Sequence, residues 1–104
     1  MPNPNRSGVW LVDLGYAAKV CPCLVISIPA EDEDRALASL IPHTASARGS
    51  RFEVTINAKF LRKGVFDAQN IITIPHAKLI RKLGTLTDEQ MQLVEDVLCT
   101  WLGM

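Results

Sequence analysis

The sequence predicts a β-rich α+β fold, a small and strongly curved sheet or barrel plugged by one C-terminal helix. Three observations carry this. Short apolar, β-branched runs recur from Val9 to Leu83, the pattern of strands rather than helices. Gly15, Pro29, Pro42, Gly64, Pro75 and Gly84 punctuate them, one breaker to each connection. Only the segment after Thr87 carries apolar residues at helical spacing, and several strands followed by a single helix pack as a helix on a sheet.

Taken in order, residues 1–7 read as a flexible tail, because their prolines and asparagines disfavour regular structure. Residues 8–104 read as one domain, since 104 residues enclose one core and not two. Val9 to Leu14 is the first strand, closed by Gly15, and residues 15–19 form a small-residue loop. Cys21 to Ile28 is an apolar, buried strand, which admits Pro22 only at its first residue or on an edge. Glu31 to Asp34 form an acidic turn. Arg35 to Ile41 is a strand, because Pro42 bars helical continuation. A polar bend follows, and Phe52 to Ile56 alternates with period two as a half-exposed strand. Lys59 to Gly64 is a basic connection, and Val65-Phe66 and Ile71 to Ile74 are further strand pieces. Leu79, Ile80 and Leu83 flank a basic patch that ends at Gly84.

The helix has a clear start and stop. Thr87-Asp88-Glu89-Gln90 is a capping box, with acids where the positive end of the helix dipole favours them. Met91, Val94, Val97, Leu98, Trp101 and Leu102 then fall on one face, read as core, and Gly103 stops the run.

Composition narrows the function. Eleven Lys and Arg balance eleven Asp and Glu, which does not describe a non-specific polyanion binder. The balance hides a segregation: between Arg48 and Lys82 the only acids are Glu53 and Asp67. A basic middle beside acidic flanks permits a local anion-binding face or a self-complementary surface. No apolar run approaches the ~18 residues of a membrane-spanning helix. Three cysteines, an odd number, with no secretory leader place the chain in a reducing cytoplasm.

Several chemistries are weighed and set aside. Cys21 and Cys23, placed on opposite faces of their strand, read as small buried hydrophobes rather than as zinc ligands with His43, His76 or Cys99. A Cys21 nucleophile with His43 as base has only Lys19 to lower the thiol pKa. Glu31 to Asp34 lacks the periodicity and central glycine of a calcium loop, and the isolated glycines form no phosphate-binding motif. No metal and no cofactor is expected. What remains is the bend from Ile41 to Ile56, with His43, Thr44, Ser46, Arg48, Ser50 and Arg51 between two strands. Cations and hydroxyls at loop tips suit RNA phosphates.

These residues also resemble a family. Gly8-Val9-Trp10-Leu11-Val12-Asp13 is similar to the opening strand of the MazF/PemK toxins, and Cys21-Pro22-Cys23-Leu24-Val25-Ile26-Ser27 to their Arg-Pro-Ala-Leu-Val-Ile-Ser strand. Ile41-Pro42-His43-Thr44 and Phe52-Glu53-Val54 resemble their Val-Pro-x-Thr and Phe-Glu-Val elements. Gly64 to Gln69 resembles a fourth landmark, with Ala68 where the family has Asp, and Arg81 to Thr87 resembles the approach to the last helix.

The resemblance implies an SH3-like barrel, a homodimer, and a metal-independent endoribonuclease that cuts single-stranded RNA and is restrained by an antitoxin. It implies attack of the RNA 2′-OH on its own phosphate, leaving a 2′,3′-cyclic phosphate and a 5′-OH. Thr44 stands at the family's catalytic threonine and Cys21 at its catalytic arginine. Lys19, His43, Ser46, Arg48, Arg51 and Gln69 are the expected RNA-binding set. A thiol does not make the bidentate, charged contact of a guanidinium, so the resemblance implies an enzyme weakened at Cys21 or rescued by Lys19. The other implied reading is a binding module on the same scaffold, akin to the CcdB gyrase poisons, that has lost cleavage.

Overall fold

The computed structural model describes residues 2–15 and 19–104. Among the described residues seven strands and one α-helix follow one another: β1 (Gly8–Asp13), β2 (Val20–Val25), β3 (Leu37–Thr44), β4 (Glu53–Val54), β5 (Val65–Asp67), β6 (Ile72–Pro75), β7 (Leu79–Thr85) and α1 (Asp88–Leu102), with a short 3-10 helix at His76–Lys78 before β7. The strands pair antiparallel in the order β4-β5-β3-β2-β1-β7, with β6 also paired to β3. This is the β-rich α+β architecture expected, a curved sheet with a terminal helix. The expected loop over 15–19 falls partly on residues outside the described ones.

Both interior prolines sit where a missing N–H is harmless. Pro22 is the third residue of β2, not its first, but the ladder to β3 begins only at Cys23. At Pro22 the strand is therefore paired on the β1 side alone, a local edge. Pro42 lies inside β3, which runs on to Thr44 rather than ending at Ile41. It falls between the β6 ladder, which ends at Leu40, and the β5 ladder, which starts at His43. Other bounds shift too. β2 stops at Val25, β4 is two residues long, and Arg81 to Gly84 lie within a full strand, β7.

Alternation along β2 and β3 sends side chains to two faces. Leu24 and Ile41 join Val9, Phe66, Met91, Val94 and Leu98 beneath the helix. Cys21, Cys23, Val25, Ala38 and Leu40 join Val12, Ile74 and Leu79 on the other face. The expectation that Cys21 and Cys23 point apart is overturned: residues two apart on a strand share a face. Both are buried and free, whereas Cys99 is free and exposed.

The helix begins as predicted. The Thr87 hydroxyl accepts the Gln90 N–H at 3.1 Å while the Gln90 side chain accepts the Thr87 N–H at 2.9 Å. Gly103, at φ +72, supplies the left-handed stop. The buried face is Met91, Val94 and Leu98 only. Trp101 and Leu102 are exposed, a correction to their reading as core; Trp101 packs on Phe52 with ring centres 5.2 Å apart. No helix among the described residues is long and apolar enough to cross a membrane.

The opening residues, read as a flexible tail, make definite bonds. Ser7 donates its N–H to Val25 and accepts the Leu86 N–H, both at 3.0 Å. Asn3 makes two bonds to the Ala30 backbone, and Arg6 pairs with Glu95 at 2.8 Å.

Candidate active site

Where β3 leaves the helix-covered core, Thr44, half-buried, is its last residue. Period two puts Thr44 on the face of Leu40 and Cys21, not of Ile41. Cys21 on β2 comes close to this strand end, its Sγ 3.3 Å from the His43 carbonyl oxygen. A cleft of about 300 Å³ opens there, and Lys19, Cys21, His43, Thr44, Ser46 and Arg48 all line it. Six of the eight site residues expected from sequence thus converge.

Arg51 and Gln69 do not line the cleft. Arg51 lies over the Phe52 ring, 4.5 Å from its centre, a cation–π contact that turns it away. Gln69 is exposed and donates its backbone N–H to Asp67. Glu53, Asp67 and Asn70 line the cleft instead, and sequence reasoning missed all three. The available signal was the pair of lone acids within the basic middle of the chain.

Each group's environment sets what it can do. The Thr44 hydroxyl oxygen accepts the Ser46 N–H at 3.1 Å, which leaves the hydroxyl proton free to donate to a phosphate oxygen. Gly64 makes the close packing possible, since a side chain there would strike the Thr44 carbonyl and the His43 ring. The His43 ring meets Phe66 edge-on at 5.0 Å, and its buried Nε2 has no hydrogen-bond partner. Burial holds its pKa below the usual histidine value, so at neutral pH it brings no positive charge.

Cys21 is 9% exposed, and its thiol lies 3.3 Å from the carbonyl oxygens of Pro22 and His43. The neighbouring Cys23 thiol, with Lys19 adding positive charge, draws the Cys21 pKa down to about 7 against desolvation. Cys23, fully buried behind it, is pushed up chiefly by Cys21 and also by burial. Lys19 and Arg48 supply the cleft's positive charge. His76 is occupied elsewhere, with Nε2 at 3.1 Å from the Leu37 carbonyl. Among the described residues, no three His, Cys, Asp or Glu side chains are grouped to hold a metal.

Two cations, two carboxylates, a hydroxyl and a perturbed thiol thus meet at the end of a helix-backed sheet in a small α+β domain. More narrowly, the chain belongs to the PemK-like, MazF-like toxin family of type II toxin–antitoxin systems, whose family model matches residues 5–102. Among solved structures it is similar to a mycobacterial endoribonuclease in complex with its cognate antitoxin, at 28% identity and a TM-score of 0.82, over 100% of this chain and 97% of that one. It is likewise similar to MazF from Deinococcus radiodurans, at 26% identity and a TM-score of 0.82, over 100% of each chain. No curated protein matches it.

Proposed function

We propose that this protein is a toxin-type endoribonuclease that acts in the cytoplasm, cutting single-stranded RNA without a metal and restrained by a cognate antitoxin. The observation that carries this reading is the meeting of Thr44 with Lys19 and Arg48 in one cleft, in a chain of this family. In the proposed reaction the RNA 2′-oxygen attacks the adjacent phosphorus. The 2′ proton passes to a base, the 5′-oxygen leaves with a proton, and a 2′,3′-cyclic phosphate remains. Thr44 orients a non-bridging oxygen, while Lys19 and Arg48 offset the charge that builds on the phosphorane. The protein works as a homodimer in this reading.

One observation favours a second reading. At the family's arginine position stands Cys21, a thiol 9% exposed, which holds no phosphate in a bidentate grip. On that reading the chain keeps its antitoxin-binding scaffold without cleavage.

End-mapped cleavage of a mixed RNA pool in EDTA decides between them, comparing the protein with Cys21→Arg and Thr44→Ala. The nuclease reading expects 5′-OH ends at one short motif, and loss of a hydroxyl donor at Thr44 to slow cutting ~10²–10³-fold, the scale of one missing oxyanion donor. Cleavage by Cys21→Arg alone supports the disabled form. No cleavage by any variant, with antitoxin peptides still bound, leaves the binding module.

A further inference from the structure

Glu53 stands on β4 directly across from Asp67 on β5. Like charges so placed repel each other, and the ion pair between Arg6 and Glu95 lies elsewhere. The Glu53 carboxyl is nonetheless held below the usual range, first by a hydrogen bond from the Arg48 backbone and also by those of Ser50 and Gly49. The Arg48 N–H reaches both carboxylate oxygens, at 2.9 and 3.1 Å, and the Ser50 N–H reaches one of them at 2.9 Å. Gly49, at φ +79, turns the chain between those two amides so that both converge on one charge. Amides that converge this way form an anion-binding nest, and here the nest is filled from within the chain.

The main chain of Arg48 makes the hydrogen bonds to Glu53, and its guanidinium adds a smaller attraction through space. The side chain is left to line the cleft without a salt bridge among the described residues. We propose that Glu53 is a positioning residue: by clamping the 48–50 backbone it fixes the bend so that Arg48 faces the cleft as a phosphate-binding cation. This rests on the ribonuclease reading and adds to it a device for fixing one of the site's cations from β4.

The test measures binding of a pool of 2′-O-methyl RNA, which lacks the attacking hydroxyl, by the full-length protein. Glu53→Ala and Arg48→Ala are each expected to weaken binding by roughly tenfold, the size of one charge-assisted contact, and the double variant by no more than either alone. Glu53→Gln, which keeps an acceptor oxygen, is expected to fall between wild type and Glu53→Ala. Amide exchange at Arg48 and Ser50 should quicken in Glu53→Ala while β1, β2 and β3 keep their protection. Losses that multiply in the double variant, or exchange at Arg48 and Ser50 that does not change, would overturn the proposal. If wild type binds no RNA, the ribonuclease reading falls and takes the RNA role of Arg48 with it. The exchange data separately decide whether Glu53 holds the bend.

Discussion

The two faces of the sheet differ in what fills them. Under the helix lie Leu24, Ile41, Phe66, Met91, Val94 and Leu98, large side chains that interlock. On the opposite face Val12, Val25, Leu40, Ile74 and Leu79 form a second apolar cluster that includes the smaller Cys21, Cys23 and Ala38, and Cys21 reaches from it into the cleft. The first face buries enough apolar area to stabilise the chain, at ~1.5–3 kcal/mol for each large side chain. The second face is free to place a reactive thiol and a hydroxyl side by side. Both faces add buried apolar area, the cleft opens from the second alone, and period two is the device that separates them.

The contrast breaks most visibly at Phe66, fully buried and central to the helix side. Phe66→Ala is expected to destabilise the protein by about 3–5 kcal/mol, read by chemical denaturation, and to loosen His43, which leans on that ring. Thr87→Ala tests the same side more gently. It removes the hydroxyl that caps the helix and should cost about 1 kcal/mol with RNA binding unchanged; a change in RNA binding would mean that the two sides are not independent.

On the cleft side the effects are small in energy and clear in pH. Cys21 has a thiol pKa of about 7 against an ordinary 9.0. The folded state therefore favours the thiolate, and the associated stability appears as pH rises through the window from 7 to 9 and is absent below it. Iodoacetamide labelling of Cys21 should rise with pH to a midpoint near 7 and then level off, because the thiolate is the nucleophile. Cys23→Ala removes the largest cause of the shift and should move that midpoint upward, with Lys19→Ala moving it less. A midpoint unmoved by Cys23→Ala would mean that the pairing of the two thiols does not set the reactivity.

Much of this was legible in the chain because local signals agreed with the fold. The capping box, Gly103 and the β-branched runs each act over a few residues, and each element they predict is present. His43, Thr44, Ser46 and Arg48 were legible from the polar bend and Lys19 from its charge, whereas Cys21 entered the site only through the family resemblance. Arg51 misled because an aromatic neighbour can claim a cation, and nothing in the spacing shows which way the side chain turns. Glu53 was read only as the polar half of an alternating strand, since its role depends on how residues 48–50 fold back onto it. Trp101 followed the helical period, yet the period does not show that its side chain stays exposed.

The pairing of the first strand has a consequence for how the chain is made. β1 lies between β2 and β7, so one of its two neighbours is the last strand to leave the ribosome. Ser7 then closes the circuit by accepting the Leu86 N–H. Until residues 79–86 emerge, β1 keeps an open edge, and an open edge in a growing chain invites wrong partners. A message cut short before that point would yield a chain that holds Cys21 and Thr44 but leaves β1 unpaired on one side, so the sheet that carries the cleft is closed only once β7 is made.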